Sequence, residues 1–407
     1  MKSFDLVIVG AGAAGLMTAI AAGRANREGR NILLVDGRRK IGTKILMSGG
    51  TRCNVTNVKV SPSDYHGGPS HFIQHVLEAF PPGAAIRFFE TIGVKLVLED
   101  TGKYFPATHS GKTVLEALMK ETERLSVRLE TGVRITRAEK ERNGFLLESG
   151  GEKIFSKRVA LTTGGLSYPE TGSDGTGFLL AKSLGHALIP VSPALTPLAS
   201  EDRDWRTVSG VSLPVKLSFF ERGKKRVECE GPFLFTHFGF SGPAALDISR
   251  FLARSDRKDA PAIEANFLPG ETEESLKKRT EAFQRCHPHK RTKSLLTEAF
   301  KLPESFAQVF LKKTGGEPAV SKLIRSLLHF LLPVTGVVGY KKAEVTAGGV
   351  DLREVHVSTM ESKITPGLYF AGEILDADGR IGGFNFQWCW STGSLAGQSA
   401  IKSLQTS

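Results

Sequence analysis

The 407 residues are 40% apolar and 24% charged and contain no apolar run of about 18 residues, which indicates a globular chain of two or three units and excludes a membrane-spanning helix. The four cysteines form no Cys-x-x-Cys pair, which argues against a disulfide framework or a dithiol oxidoreductase and favours a reducing cytoplasm. The 54 Lys and Arg residues against 42 Asp and Glu residues give a net charge of +12, which favours polyanionic partners without requiring one.

The first predicted strand, residues 5–9, leads into a Gly-x-Gly-x-x-Gly turn and a predicted helix over residues 16–25. Such a turn lets the backbone approach a pyrophosphate, which free N–H groups at the helix start attract. A second predicted strand, residues 31–35, ends at Asp36, whose carboxylate suits ribose hydroxyls and repels a 2′-phosphate. The pattern predicts dinucleotide binding by Gly10, Gly12, Ala13, Ala14, Gly15, Asp36 and Gly37.

A segment of small and polar residues follows over residues 42–57. Its Ser-Gly-Gly run lets the backbone approach a flat ligand, and its two cations can reach anionic oxygens. The alternative is a polar surface turn with an incidental cysteine. The predicted cofactor contacts here are Lys44, Ser48, Gly49, Gly50, Arg52, Cys53 and Asn54.

Two further strands are predicted over residues 132–135, passing the adenine at Val133, and over residues 158–161. The second strand ends where the main chain can pass against the nucleotide, at Thr163, Gly164 and Gly165. The polar loop over residues 167–175 either shapes the substrate side of a flavin or is a simple long turn.

Near the other end of the chain, residues 367–371 predict a strand and the run from Gln387 onward predicts a helix. Glu373 or Asp376 can bind ribityl hydroxyls, and residues 382–385 would place a helix N-terminus beside the isoalloxazine. Positive charge there stabilises the reduced ring, which favours FAD over a nicotinamide cofactor. The predicted contacts are Gly372, Glu373, Asp376, Gly382, Gly383, Phe384 and Asn385.

Over essentially its whole length the chain resembles the HI0933-like (YhiN-type) NAD(P)/FAD-dependent oxidoreductases, a branch of the glutathione-reductase-like flavoproteins. The segments that carry the resemblance are residues 10–15, 48–57, 235–243, 346–350 and 367–387. Thr51 departs from it where relatives often have glycine, and Glu373 stands where many flavoproteins of this class have aspartate. The resemblance implies an α/β fold with a Rossmann-like FAD-binding domain, an inserted small β-barrel and a helical subdomain.

We therefore expect an FAD-binding domain over residues 1–190 and 351–407, a β-barrel insert over residues 191–268 and 332–350, and a helical insert over residues 269–331. Prolines mark the exit from the first domain, and residues 211–220 and 225–229 alternate as antiparallel strands do.

The helical insert is rich in cations, with 12 Lys and Arg against 4 Asp and Glu over residues 277–325. Such a face is either simply solvated or a surface for RNA phosphates. The residues proposed for ribosomal RNA are Lys277, Lys278, Arg279, Arg285, Lys290, Arg291 and Lys293. The nearby Cys286-His287-Pro-His289 run lacks a second ligand pair, so no metal is predicted.

No second glycine fingerprint occurs, so NAD(P)H would dock only transiently as the reductant of the flavin. Without a dithiol, we expect direct hydride transfer to an electrophilic carbon, with Cys53 or His237 as the proton donor, although a cysteine beside a cofactor is often structural. The resemblance implies two substrate classes, uridine in ribosomal RNA, reduced to dihydrouridine, and small enones such as bile-acid derivatives. The basic insert favours RNA, and a non-catalytic flavin-containing RNA-binding protein is the third hypothesis.

Overall fold

The computed structural model describes residues 1–405 and divides into two compact units. Unit 1 combines Met1–Pro193 with the chain from Glu344 onward, and unit 2 is Ala194–Ala343. Each unit has its own hydrophobic core. The predicted limits of the first domain, residues 190 and 351, lie near this division, and the finer split of the insert into barrel and helical parts stays a proposal.

Unit 1 is built on a seven-stranded sheet. Its strands are β1 (Lys2–Val9), β2 (Ile32–Asp36), β7 (Arg128–Thr131), β8 (Arg137–Glu141), β9 (Gly144–Ser149), β10 (Glu152–Leu161) and β20 (Leu368–Phe370). Strands β7, β2, β1 and β10 are neighbours in that order and run parallel with β20, whereas β9 and β8 extend the sheet antiparallel beyond β10. The registers Val9↔Val35 and Val9↔Leu161 bring the carboxyl ends of three strands together, which is where such sheets bind ligands.

Three smaller sheets complete unit 1. They contain β3 (Thr56–Asn57), β6 (Lys103–Pro106) and β5 (Leu96–Leu98) in the first, β21 (Ala377–Gly379) and β4 (Tyr65–Gly67) in the second, and β11 (Leu188–Ala194) and β19 (Val345–Val350) in the third.

The first and last helices of unit 1 pack closely against each other. A Cβ on Gly397 would lie only 2.2 Å from the carbonyl oxygen of Thr18, so glycine is needed at this crossing. This packing holds the two ends of the chain together. The helices are α1 (Ala13–Ala25), α2 (Thr43–Met47), α3 (Ser70–Ala79), α4 (Pro82–Thr91), α5 (Gly111–Arg124), α6 (Thr176–Ser183) and α13 (Phe384–Lys402).

Unit 2 has a seven-stranded antiparallel sheet. Its strands are β12 (Leu198–Ala199), β13 (Ser212–Glu221), β14 (Lys224–Thr236), β15 (Gly239–Ser241), β16 (Ala262–Asn266), β17 (Phe330–Leu331) and β18 (Gly336–Val337). Their order in the sheet is β17-β16-β13-β14-β15-β12-β18. The helices are α7 (Arg203–Arg206), α8 (Pro243–Arg254), α9 (Glu273–Cys286), α10 (Thr292–Ser294), α11 (Glu304–Thr314) and α12 (Val320–Leu328). Strand and helix residues share one core, in which Trp205 stacks on Phe235 at 5.1 Å between ring centroids.

The predicted α/β, Rossmann-like fold class is confirmed, and most predicted elements are present. The strand predicted over residues 132–135 is wrong, because these residues lie between β7 and β8. Gly132 has φ +75° and its N–H donates to the carbonyl of Arg38, which ends the strand pairing at Thr131. No helix within residues 1–405 combines the length and the apolar character that crossing a membrane requires.

Candidate cofactor site

The first strand of unit 1 ends in a tight turn that leads directly into α1. Gly12 is the N-cap of α1 and provides no side-chain cap. A Cβ on Gly15 would lie 1.7 Å from the carbonyl oxygen of Gly10, whereas a Cβ on Gly12 would meet no atom of the described chain within 4 Å. The turn is thus closed at Gly10 and Gly15 and open at Gly12, which leaves the uncapped N–H groups of α1 available to an anion.

Asp36 is held beside this turn at the end of β2. Its Oδ2 accepts a hydrogen bond from the N–H of Ala11 at 2.8 Å, and its Oδ1 accepts one from the N–H of Arg38 at 2.7 Å. The N–H of Val133 donates to the carbonyl of Asp36 at 2.9 Å. The structure therefore brings together the residues predicted for the ribose and the adenine, although Val133 lies in a loop.

The carboxyl-terminal segment meets the same turn where β20 ends. A Cβ on Gly372 would lie 2.6 Å from the Cβ of Ala14 in the first turn of α1. Two bonds from α13 fix this position: the N–H of Gly372 donates to Oγ1 of Thr392 at 3.0 Å, and the indole N–H of Trp388 donates to the Gly372 carbonyl at 3.3 Å. Both ends of the chain thus contribute to one site, as the motifs predict.

Glu373 is the centre of a polar cluster formed by four distant segments. Lys44 Nζ lies 2.7 Å from Glu373 Oε2 and 2.7 Å from Ser167 Oγ. Oε1 of Glu373 accepts hydrogen bonds from Ser167 Oγ, from the N–H of Thr346 at 3.0 Å and from its Oγ1 at 2.8 Å. A Cβ on Gly165 would lie 2.4 Å from Thr346 Oγ1, so the predicted Thr-Gly-Gly segment runs directly against this cluster. Glu373 and Lys44 bind each other here.

Sequence reasoning missed Ser167 and Thr346 as members of this cluster. Ser167 opens the polar loop of residues 167–175, and Thr346 opens one of the segments that carry the family resemblance. Those two signals were present, but neither indicated a contact with Glu373.

The loop of residues 48–57 packs against the start of α13. Asn57 Nδ2 donates to the Gly382 carbonyl at 3.0 Å, and Thr56 Oγ1 donates to Gln387 Oε1 at 2.6 Å. Asn385 forms two hydrogen bonds with the backbone of Gly379, so its side chain fixes the chain that leads into the helix. Asn54 is buried, and its Oδ1 has no hydrogen-bond partner among the described residues.

Two predicted contacts in the same loop have partners within the protein. Arg52 Nη1 lies 2.6 Å from Glu99 Oε1, and the guanidinium stacks 4.0 Å from the Phe105 ring centroid. Cys53 is fully buried with φ +61°, and burial raises the pKa of its thiol to about 12 despite a hydrogen bond with Ser48. A buried thiol that stays protonated favours a packing role, and the catalytic role of Cys53 stays a prediction.

His237, the other candidate proton donor, lies in unit 2. It occupies the turn between β14 and β15, where it is exposed and its ring lies 4.8 Å from the Phe238 ring. An exposed imidazole at a hairpin turn can contact a substrate, which the Cys53 thiol cannot do without movement of its loop.

The residues of unit 1 fit a flavin dinucleotide on two observations. Gly12 leaves open space above uncapped N–H groups, as a pyrophosphate requires, and Asn54 presents a buried carbonyl oxygen without a donor. Asp376 and Gly382 precede α13, Gly383 is its N-cap and Phe384 is its first residue, all within the region predicted for the flavin. Within residues 1–405, no three His, Cys, Asp or Glu side chains are grouped as a metal site requires.

Known proteins share the family and the fold of this chain. The family model described as the HI0933-like protein Rossmann domain matches residues 4–399. The chain is 34% identical to the ribosomal RNA dihydrouridine synthase of Escherichia coli, covering 98% of this chain and 99% of that protein. It is 33% identical to the 3-dehydro-bile acid delta(4,6)-reductase of Clostridium scindens, covering 97% and 98%. A 3-ketosteroid delta1-dehydrogenase from Sterolibacterium denitrificans shares the fold, with a TM-score of 0.52, 13% identity, and 99% and 100% coverage.

Proposed function

Because the chain belongs to the HI0933-like family of FAD-dependent oxidoreductases, we propose that it reduces an activated C=C bond, and that this bond is C5=C6 of a uridine in ribosomal RNA. Hydride adds to one carbon and a proton to the other, while NAD(P)H, the electron source, becomes NAD(P)⁺. The enone of a bile-acid-like molecule is the second candidate substrate, because this chain is nearly as similar to the bile-acid reductase (33% identical) as to the dihydrouridine synthase (34% identical).

The observation that carries the RNA proposal is a set of unneutralised cations on the helices of unit 2. Of the seven cations named for RNA, four have ion-pair partners: Lys278 with Glu274, Arg279 with Glu271, Lys290 with Glu298 and Lys293 with Glu304. Within residues 1–405, Lys277, Arg285 and Arg291 are exposed and form no ion pair. We call these three the α9 basic surface; Lys277 and Arg285 lie on α9, and Arg291 lies in the loop that follows it. A polyanion would complement this surface, and the neutral rings of a steroid would not.

Aromatic rings beside the α9 basic surface support the same proposal. The ring of Phe283 lies 4.9 Å from that of His287, and Lys290 Nζ lies 5.9 Å from the Phe283 centroid. Unpaired bases stack on such rings, and a uridine must be unpaired before its C5=C6 bond can be reached. RNA modification also agrees with the cytoplasmic location that the cysteines favour.

In unit 1, we assign the cofactor contacts by chemistry. The N-terminus of α1 at Gly12 would hold the pyrophosphate, Asp36 the adenosine ribose, and the N-terminus of α13 the electron-rich edge of the reduced ring. Asn54 Oδ1 would accept a hydrogen bond from an N–H of the ring system. When bound, reduced FAD supplies the hydride.

We assign the proton donor to His237. It is exposed, whereas the Cys53 thiol is buried with its pKa raised to about 12, which makes it a weak acid for this step. A His237→Gln variant should keep FAD affinity and reduction by NAD(P)H while losing turnover by about 10²-fold or more. Equal turnover in the variant would remove His237 from the mechanism.

The main test is mass spectrometry of ribosomal RNA from a deletion strain. We expect loss of one dihydrouridine that returns with the wild-type gene. The Lys277→Gln/Arg285→Gln/Arg291→Gln variant should restore it poorly, whereas a control that removes the same charges from exposed positions of unit 1, Arg27→Gln/Lys120→Gln/Arg142→Gln, should restore it fully. Unchanged dihydrouridine in the deletion strain would refute the RNA substrate.

A purified-protein assay separates the other two candidates. Stopped-flow mixing with NADH or NADPH should bleach the flavin absorbance, and the reduced protein should be reoxidised anaerobically by RNA but not by a 3-oxo-4,6-diene bile acid. Reoxidation by the bile acid alone would favour the enone reductase. Absence of reduction by either nucleotide would favour the RNA-binding protein without turnover.

A further inference from the structure

Unit 2 contains an open pocket of about 450 Å³ that is separate from the α9 basic surface. It is lined by Phe219 and Glu221 of β13, Arg226 of β14, and Arg250, Phe251 and Arg254 of α8. Its volume is within the range of small-ligand sites, about 300–1,000 Å³. Nothing in the sequence patterns indicated it, because its residues come from three elements.

Three guanidinium groups line this pocket against one carboxylate. Arg250 and Arg254 are four residues apart and share one face of α8, where Asp247 lies one turn earlier. Arg226 Nε lies 3.4 Å from Glu221 Oε2. Even with Asp247 counted, cations exceed anions, so the pocket favours an anionic ligand.

The pocket also offers aromatic surface. Phe251 is half-buried, its ring centroid lies 6.1 Å from that of Phe219, and the Arg250 guanidinium carbon lies 5.6 Å from the Phe251 centroid. Arg250 itself is buried, with only 6% of its surface exposed. Guanidinium groups bind phosphate through two parallel hydrogen bonds, and an aromatic face accepts a base by stacking.

We infer that this pocket binds one nucleotide of the RNA substrate, with its phosphate on the arginines and its base against Phe251. This inference rests on the proposed RNA substrate. The pocket and the α9 basic surface would then hold two points of one strand, which is how proteins position RNA without reading a duplex.

The test measures RNA binding without turnover. A fluorescein-labelled 12-nucleotide oligouridylate is titrated with FAD-loaded protein by fluorescence anisotropy at several salt concentrations. We expect Arg226→Gln/Arg254→Gln to raise Kd about tenfold and to reduce the slope of log K against log salt by about 0.7 for each phosphate that the variant no longer binds. Arg142→Gln, on an exposed turn of unit 1, is the matched control and should leave both quantities unchanged.

Two single variants, Arg254→Lys and Arg254→Gln, separate geometry from charge. Lysine retains the positive charge but loses the two parallel N–H donors of the guanidinium, so the Kd of Arg254→Lys should lie between those of wild type and Arg254→Gln. Thermal unfolding checks that each variant is folded; the buried Arg250 is left intact for this reason. Unchanged Kd and slope in the folded double variant would overturn the inference, as would failure of the wild-type protein to bind the oligonucleotide.

Two competitors identify other occupants. Displacement of the oligonucleotide by UMP at micromolar concentration would assign the pocket to free nucleotides, and displacement by cholate would assign it to a steroid carboxylate; either result overturns the RNA inference. Because binding is measured without reductant, it is independent of the ribosomal RNA analysis. If the deletion strain has unchanged dihydrouridine but the pocket variant binds RNA more weakly, the proposed substrate is refuted and the RNA-binding pocket still stands.

Discussion

A lysine–glutamate ion pair occurs in both units with nearly the same separation and in very different surroundings. In unit 1, Lys44 and Glu373 lie 2.7 Å apart, and only 25% and 13% of their side-chain surfaces are exposed. In unit 2, Lys278 and Glu274 lie 2.6 Å apart, and 74% and 76% are exposed. Distance alone therefore does not distinguish a fixed pair from an exchangeable one.

The difference lies in the additional partners of the glutamate. Glu373 also accepts hydrogen bonds from Ser167 and Thr346, which places its charge permanently within the fold of unit 1. Glu274 and Lys278 are one helical turn apart on α9 and can separate at little cost, so that Lys278 could meet a phosphate instead. In unit 1 the pair is held by further hydrogen bonds within the fold, whereas in unit 2 the pair lies on an exposed helix surface without them.

The largest expected effect tests how rigidly the backbone of unit 1 is fixed. Gly15→Ala should lower the free energy of unfolding of the apoprotein by at least ~2 kcal/mol, because its Cβ would lie 1.7 Å from the Gly10 carbonyl oxygen and the main chain would have to move. Urea unfolding measures this. If Gly15→Ala has the stability of wild type, the backbone of unit 1 is not rigidly fixed, and this difference from unit 2 does not hold.

Gly12→Ala is the matched control for Gly15→Ala. Its Cβ meets no described atom within 4 Å, so the apoprotein should keep its stability. Its affinity for FAD should nevertheless fall about tenfold, or ~1.4 kcal/mol, because the methyl group would occupy the space proposed for the pyrophosphate. Titration of the apoprotein with FAD, followed by flavin fluorescence, measures this. Unchanged FAD affinity would refute the proposed phosphate position.

The second prediction compares the two ion pairs directly by double-mutant cycles. Glu373→Gln should destabilise unit 1 by about 2 kcal/mol, because it leaves the half-buried Lys44 ammonium beside a neutral amide. Lys44→Met added to it should recover part of this loss. The corresponding cycle for Glu274→Gln and Lys278→Met should give a coupling energy below about 0.5 kcal/mol. Equal coupling energies would show that burial does not distinguish the pairs.

These contacts also explain which parts of the site the sequence could reveal. The fingerprint was readable because Gly10, Gly12 and Gly15 act within one strand–turn–helix unit, where spacing decides the geometry. The pairing of Lys44 with Glu373 was not readable, since it joins residues that are distant along the chain and depends on the packing of β19 and the polar loop against the carboxyl-terminal turn. Because the sequence did not show this pairing, Lys44 and Glu373 were predicted separately, each as a cofactor contact.

Local conformation and long-range packing limit the sequence reading in different ways. The strand predicted over residues 132–135 was plausible from its apolar pattern, but the conformation of Gly132 moved the boundary. The role of Asn385 as a cofactor contact stays a prediction based on its place in a motif, and its side chain is engaged with Gly379. The pocket in unit 2 gave no signal, because Arg226 of β14 and the arginine pair of α8 lie on separate elements and share no recognisable spacing.

The third prediction compares two histidine–glutamate pairs as pH is lowered. In unit 1, His186 is buried between Glu354 and Ser362, and burial lowers the pKa of His186 although Glu354 partly opposes this. A folded-state pKa below the unfolded value, about 6.5, means that the unfolded chain binds more protons at low pH. The contribution of His186 to stability is therefore fully present above about pH 6.5 and is lost as pH falls below it.

Urea unfolding at pH 7.5 and 5.5 measures this contribution. Wild type should lose more stability than His186→Gln over that interval, by no more than about 1.4 kcal/mol per pH unit for one proton. His329→Gln in unit 2 is the matched comparison at pH 7.5, because His329 lies 2.9 Å from Glu264 with half of its side chain exposed, so its replacement should change the free energy of unfolding by less than about 0.5 kcal/mol. If wild type and His186→Gln lose the same stability between pH 7.5 and 5.5, His186 does not contribute to the pH dependence of stability.

The smallest expected effect concerns strain in the loop that packs against α13. Gly49, Gly50 and Thr51 have φ of +56°, +67° and +70°, and the last is a β-branched residue in a conformation that favours glycine. Thr51→Gly should remove this strain but increase the freedom of the unfolded chain, so the two effects oppose each other. We expect a net stabilisation of at most about 1 kcal/mol, measured by urea unfolding of the apoprotein. Thr207→Gly, at an exposed position of unit 2 with φ −69°, relieves no backbone strain. It carries the unfolded-state cost and also loses the hydrogen bond from Thr207 Oγ1 to the Asp204 carbonyl, so it should be destabilising. If both variants lose stability equally, the strained loop of unit 1 stores no more energy than an ordinary surface turn.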